Sequence, residues 1–267
     1  MAIREIPVRT LGELLDRCTP AEPDARTGRR RDTGVYRGAF DASRPLLTSL
    51  DRLGGVDPPH TKARLEAHVL RNFVRYARPH VDPAMAAGDW EHLVMAQHYG
   101  VPTRLLDWTY SPLVAAHFAT RDTRRRDGHA PAVWRLDWQR VHETFGFPPL
   151  ALLTQELDRM LPGDEPMTPW RLFDGCEGRP FACLVEPPTL DARIAVQAAS
   201  FTLCSDKSRP FDAFLAEHGL EGALTKFVIV GDEVSRLRDQ LDMVGFDERR
   251  LFPDLDGVAA ALRRYYA

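Results

Sequence analysis

The chain has 267 residues, of which 44% are apolar and 27% charged, enough for a sizeable core and too apolar for a wholly disordered chain. A formal net charge of −3 provides no global basic field of the kind that gathers nucleic acid. The apolar stretches all break well short of the roughly 18 residues that a membrane-spanning helix needs, so no membrane partner is expected. The opening MAIREIPVRT carries arginines without an apolar run behind them, unlike a secretory signal. Cys18, Cys176, Cys183 and Cys204 form no CxxC pair. They read as reduced thiols of a cytoplasmic protein, with neither a disulfide framework nor a metal site.

In chain order, the stretch 19–34 is polar and rich in turn formers, an exposed loop before a first strand at VYRGAF, residues 35–40. A helix follows from Thr61 to Arg78, capped by Thr61 and ended by Pro79. Its stripe of Leu65, Val69, Leu70, Phe73 and Tyr76 is broken by Glu66. Either Glu66 reaches solvent at the stripe's edge, or it is buried against Arg37, Arg52 or Arg104. A second helix fits Asp89 to Tyr99, with Asp89 as cap and Gly100 as stop; it ends on Gln97, His98 and Tyr99. RLLDWT then runs extended, with Arg104, Leu106 and Trp108 on one face and Leu105, Asp107 and Thr109 on the other. Ser111 and Pro112 suit the N-cap and N1 of a third helix.

Further on, strands are expected at 131–138, 181–187 and 193–204 (the last bulged) and at ALTKFVIVGDE, with helices near 149–160, over VSRLRDQLDMVGF and at the C-terminus. Strands and helices interleave unevenly. The expectation is one α+β domain over residues 1–267, with a central split or mostly antiparallel sheet flanked by helices and its core at about 35–262.

No phosphate loop, GxGxxG, HExxH, GxSxG or spaced Cys/His set occurs, which removes the commonest NTPase, dehydrogenase, zinc-protease and hydrolase readings. The basic tract RDTRRRDG at 121–128 reads as a solvated turn. What stands out is polar residues set in apolar elements: Arg37, Glu66, Gln97, His98, Arg104, Asp107, Thr109, Ser111 and Gln197. Arg37 offers planar donors suited to phosphate or ribose oxygens, and Gly38 beside it would admit a close ligand. The competing role for Arg37 is to brace Glu66. Ser111 likewise has a purely structural role open to it, as a helix cap.

The segments YRGAF (36–40), QHYGVPTRLLDWTYSPLVAAHFA (97–119), RIAVQAASFT (193–202) and LFPDLDGVAAAL (251–262), with Arg52 and Glu66, resemble the FRG domain family. Tyr36-Arg37-Gly38 stands for the aromatic-Arg-Gly motif that names the family. The chain departs from the expected pattern at Ala199, where a glycine is expected two residues after Gln197.

The order of these motifs is similar to that of the ADP-ribosyltransferase superfamily. There a strand-borne Arg comes first, a hydroxyl-bearing strand before a helix second, and a Glu- or Gln-bearing strand third. The resemblance implies an ADP-ribosyltransferase-like fold and an NAD-consuming enzyme acting on a protein or nucleic-acid acceptor, as toxins and antiphage effectors do. An NAD glycohydrolase, or a non-catalytic module binding nucleotide, ADP-ribose or nucleic acid, are the alternatives. In that setting Arg37 and Gly38, with His98, Tyr99, Arg104, Thr109, Tyr110, Ser111 and Phe201, would hold NAD, with Tyr99 or Tyr110 stacking on nicotinamide. Gln197 falls where a carboxylate is usual, or Ser200 if the alignment slips. Gln197 cannot take a proton, so Asp107, on the same strand face as Thr109, is the first choice of carboxylate and Glu66 the second.

Overall fold

The computed structural model describes residues 3–54, 61–80, 88–121, 129–154, 157, 168–175, 179–189, 192–206, 209–230 and 233–266. Its strands are β1 (Arg4–Val8), β2 (Val35–Ala39), β3 (Leu106–Thr109), β4 (Ala132–Leu136), β5 (Leu152–Leu153), β6 (Ala182–Glu186), β7 (Ala199–Cys204) and β8 (Leu224–Ile229). They form one mixed sheet in the order β1-β8-β4-β2-β3-β7-β6-β5. The centre is antiparallel throughout, and only the edge pairs β1/β8 and β5/β6 are parallel. The α+β expectation with a mostly antiparallel sheet therefore holds.

The helices are α1 (Leu11–Cys18), α2 (Lys62–Ala77), α3 (Asp89–His98), α4 (Pro112–Thr120), α5 (Trp138–Phe145), α6 (Pro169–Gly175), α7 (Ala192–Val196), α8 (Phe211–Glu217), α9 (Glu233–Met243), α10 (Glu248–Leu251) and α11 (Leu255–Tyr265). Thr61 caps α2 and Ser111 caps α4 through their hydroxyls, with Pro112 in the first turn of α4, as local chemistry dictates. Gly88, not Asp89, is the N-cap of α3, and Asp89 lies in its first turn, where a carboxylate suits the helix dipole. None of the described helices is long and apolar enough to cross a membrane.

Alternation along the strands sorts the core into layers. On one face, Tyr36, Val133, Phe227 and Ile229 pack with α1, α4 and α9, whereas Phe201, Leu203, Cys183 and Val185 pack with residues of α2, α3 and α6. On the other face, Leu106, Trp108, Trp134, Leu136 and Leu184 pack under α5 and α8. The first face is thus covered in two separate patches. Between them lies β3, whose residues on that face are Asp107 and Thr109, with nothing apolar for a helix to cover.

Three further expectations are corrected. The first strand is β1, not residues 35–40; REIPV has no clear alternation, and its Pro7 is tolerated because β1 is an edge strand. The expected helix at 149–160 is not formed at its start. There Leu152 is buried and pairs with Val185, so tertiary pairing overrides helical spacing; residues 155, 156 and 158–160 lie outside the described residues. The expected strand 193–204 is α7 followed by β7, divided by Ala198 at φ 46°. Helices α1, α5, α6, α8 and α10 were not expected. The basic stretch 122–128 and Cys176 also lie outside the described residues; the described cysteines, Cys18, Cys183 and Cys204, are free thiols.

Two buried histidines make the fold sensitive to acid. His142 accepts a hydrogen bond from the Leu184 N–H at 2.7 Å on Nε2, and its Nδ1 lies 2.8 Å from the Pro148 carbonyl; this pattern fits only the neutral ring, and burial lowers its pKa. His117, wholly buried beside the Arg238 guanidinium at 3.0 Å, is pushed down to about 4, first by burial and then by that charge. Both rings bind protons more weakly folded than unfolded. The stability they contribute is complete above the unfolded value near 6.5 and drains away as pH falls toward the folded values. Urea unfolding at pH 7.5 and pH 5 should show a loss on the order of 2 kcal/mol, reduced in His117→Gln. Equal stability at the two pH values would contradict neutral burial.

Candidate functional site

β2 and β3 pair only at Tyr36 and Thr109 and part beyond that point. Above the gap, on the uncovered part of the sheet's first face, lies a cleft of about 310 Å3, within the usual range for small-molecule sites. Its lining comes from β2 (Arg37, Gly38) and the following Phe40, the end of α3 (Gln97, His98), β3 (Asp107 to Thr109), α4 (Val114, Ala115, Phe118) and the α7–β7 corner (Arg193, Gln197, Ala199, Phe201). Three segments far apart in sequence therefore meet in one cavity.

Arg37 belongs by alternation to the opposite face. At the parting of the strands its Nη1 reaches Asp107, donating to the main-chain carbonyl at 2.8 Å and approaching Oδ2 at 3.4 Å. The other oxygen, Oδ1, accepts from Gln97 Nε2 at 2.6 Å. Gln97 Oε1 in turn accepts from the Thr103 hydroxyl at 2.5 Å and from the Ser49 hydroxyl at 3.2 Å. The amide is thereby oriented, and it orients the carboxylate. Asp107 keeps 51% of its side chain exposed while Arg37 keeps 18%, so this ion pair is open to a ligand on the cleft side.

Thr109 Oγ1 donates to the Gln197 carbonyl at 2.6 Å and accepts from the Ser111 N–H at 3.1 Å. It thus ties the start of α4 to the α7–β7 corner. The Gln197 side chain lines the cleft but donates from Nε2 to the Leu251 carbonyl at 2.9 Å. The corner itself holds Ala198 in the left-handed region, the conformation that favours glycine. The conformational demand thus falls one residue before Ala199, where the resemblance calls for glycine.

Of the residues singled out from sequence, Arg37, Gly38, Gln97, His98, Asp107, Thr109, Gln197 and Phe201 line the cleft. Gly38 does so for a reason other than ligand approach. A Cβ there would lie 2.2 Å from the Ala115 carbonyl oxygen and 2.5 Å from the Ala119 nitrogen, so it is α4 that comes close. Glu66 and Arg104 do not line it. They form the buried pair that the broken stripe of α2 suggested: Glu66 Oε1 accepts from the Arg104 N–H and Oε2 from its Nε, both at 2.6 Å. Burial in one ion pair accounts for Glu66, and its partner is Arg104, not Arg37.

Tyr99, Tyr110 and Ser111 are also outside the lining. Tyr99 is 63% exposed at the end of α3. The Tyr110 hydroxyl donates to Glu186 at 2.7 Å; burial, and then this bond, raises its pKa. Ser111 serves as the α4 cap.

Sequence reasoning gave no site role to Gln97, Phe40, Phe118 or Arg193. Gln97 carried a signal, a polar residue on the buried side of α3. Phe40 and Phe118 fall in the segments that carry the family resemblance, Phe118 in the helix that follows Ser111 and Pro112, but neither was given a role. Arg193, packed over the Phe252 ring at 4.5 Å, begins a helix that was expected as a strand. No group of three or more His, Cys, Asp or Glu suited to a metal ion occurs among the described residues.

No curated protein and no solved structure matches the chain. A family model, the FRG domain, matches residues 32–128, a narrower span than the resemblance read from the motifs. It takes in β2, α2, α3, β3 and α4, and with them Arg37, Gln97, His98, Asp107 and Thr109. The α7–β7 corner that completes the cleft lies beyond it. Residues 32–128 of this chain thus match the FRG domain, with the Tyr36-Arg37-Gly38 strand near the start of that span.

Proposed function

We propose that the cleft binds NAD and that the protein is an NAD-consuming enzyme of the ADP-ribosyltransferase kind, with an ADP-ribosyltransferase-like core. The observation that supports this reading best is the Arg37–Asp107 pair on the floor of a cleft whose walls also bring Thr109 and Gln197. The strands β2, β3 and β7 that carry or follow these residues are adjacent in the sheet.

The chemistry suits the groups. Cleavage of the nicotinamide–ribose bond passes through an oxocarbenium-like state. The C1′–N bond breaks with its electron pair leaving on nicotinamide, and an acceptor oxygen or nitrogen attacks C1′. Asp107 faces the developing positive charge and takes the acceptor's proton. Gln97 holds that carboxylate in place from behind. Arg37 supplies donors for phosphate or ribose oxygens, and Phe40, Phe118 and Phe201 offer apolar ring faces. Water as the acceptor would make the protein an NAD glycohydrolase. A protein or nucleic-acid acceptor would make it a transferase, the activity of toxins and antiphage effectors. Free thiols fit a reducing, cytoplasmic setting.

A second reading, a nucleotide-binding module without turnover, is favoured by one observation. Both Asp107 oxygens and the Gln197 amide are already engaged within the protein.

Incubation with labelled NAD and lysate, followed by separation of protein, nucleic acid and nicotinamide, distinguishes the readings. Asp107→Asn should lower turnover by about 10²–10⁴-fold with NAD affinity retained. Arg37→Ala should abolish binding with little loss of stability, because a partly exposed ion pair contributes only about 0–1 kcal/mol. Full turnover by Asp107→Asn would exclude the catalytic role. Binding without any turnover in the unmodified protein would establish the module.

A further inference from the structure

Behind the parting of β2 and β3, on the second face of the sheet, lies another cavity of about 530 Å3. It adjoins the cleft, sharing Arg37, Gly38 and Phe40 with it. Among mostly apolar lining residues, its polar side chains are the donors of Arg37, Arg44, Arg52 and Trp134 and one carboxylate, Asp41. Arg37, Arg44 and Arg52 all contribute to its wall, and Arg52 is depressed by burial and then by the charge of Arg37. Three guanidiniums therefore crowd one space.

The carboxylate in that wall, Asp41, is occupied. Its Oδ1 accepts from the Ser43 N–H at 2.9 Å and hydroxyl at 2.6 Å, and its Oδ2 lies 3.4 Å from Arg44 Nε and 3.3 Å from His129 Nδ1. Among the described residues Arg52 donates one bond, to the Leu47 carbonyl at 2.9 Å, from a group with five N–H donors.

The floor adds an independent sign. Trp134, 1% exposed, lines this cavity, and its Nε1–H is buried without a hydrogen-bond partner among the described residues. A buried donor left without an acceptor is costly and calls for an explanation. Here an unmet donor stands beside three guanidiniums, two of which face a single carboxylate each, Arg37 at Asp107 and Arg44 at Asp41; a ligand rich in acceptor oxygens and negative charge would meet the donors left over. At the rim Phe40 is 54% exposed with the Arg44 guanidinium 4.7 Å above its ring, an aromatic face of the kind on which a base stacks.

We infer that this second cavity is a diphosphate subsite, taking the diphosphate of a nucleotide on Arg44, Arg52 and the Trp134 N–H, with Arg37 shared between it and the cleft. The inference goes beyond the NAD-cleaving reading, since it concerns binding and does not require turnover. The diphosphate could belong to a dinucleotide whose other end lies in the cleft or to a separate nucleotide, and competition tells these apart.

The test is calorimetric titration of the full chain with inorganic pyrophosphate, ADP and adenosine at low and moderate salt. Pyrophosphate and ADP should bind and adenosine should not, with affinity falling as salt rises. Arg44→Gln/Arg52→Gln should weaken ADP at least tenfold while leaving the melting temperature close to that of the unmodified protein. Trp134→Phe, which removes the N–H and keeps most of the ring, should also weaken ADP, by several-fold. Displacement of pyrophosphate by NAD assigns the subsite to a dinucleotide, and simultaneous binding assigns it to a separate nucleotide; both support it. The inference is overturned if pyrophosphate and ADP fail to bind at millimolar concentration, or if the double variant binds them unchanged. Either result can be read whether or not NAD is cleaved.

Discussion

Glu66→Ala is expected to destabilise the protein by about 3–5 kcal/mol, the cost of breaking a buried ion pair by removing one member. Glu66 is 1% exposed and Arg104 is 6% exposed. The carboxylate meets both the guanidinium and the main-chain N–H of the same residue. Its loss removes this carboxylate from a buried cation that also lies over the Phe173 ring at 4.2 Å, in the core beneath α2 and α3. The melting temperature should fall by roughly 10 °C, and Glu66→Gln should fall between the two. Nucleotide binding by the protein that remains folded should survive, because Glu66 does not line the cleft. An unchanged melting temperature together with lost binding would instead return Glu66 to the functional site.

Gly38→Ala should be nearly as damaging by a different route. The added methyl would meet main-chain atoms of α4, at Ala115 and Ala119, far inside contact distance. A backbone cannot swing aside as a side chain can, so the helix itself must move. Overpacking of this kind costs about 1–3 kcal/mol and occasionally more, and the two closest contacts place Gly38 at the upper end. The displacement also carries away Val114, Ala115 and Phe118, one wall of the cleft. Urea unfolding and a nucleotide titration should therefore fail together in this variant, whereas Glu66→Ala separates them. Full stability in Gly38→Ala would mean that α4 does not lie against β2 at this distance.

The two variants mark where reading the sequence stopped. That Glu66 was out of place among Leu65, Val69 and Leu70 was legible from helical spacing, and so was the short set of arginines able to neutralise it. Which arginine does so depends on how the turn at 103–105 docks under α2, and no local pattern encodes that. Gly38 was recognised as a place of close approach. Only the packed structure shows that the approaching group is a helix, because a glycine records the absence of a Cβ and not the identity of the neighbour.

Sequence by itself determined the elements whose signals are local. The Thr61 and Ser111 caps, the apolar stripe of α2, the alternation in β3 that puts Asp107 and Thr109 on one face, and the family motif around Tyr36-Arg37-Gly38 are all written in short-range chemistry. Tertiary structure decided what depends on partners distant in the chain. β1 and β5 exist because β8 and β6 offer parallel edges to them, and their own residues signal strand weakly. The corner at Ala198 divides the stretch 193–204 into α7 and β7, and so moves Gln197 off the strand on which it was expected. The pairing of Arg37 with Asp107 arises because β2 and β3 part after a single paired position. The two patches of helix leave polar residues of β3 uncovered between them, so the cleft is a product of layer packing, which long-range contacts settle.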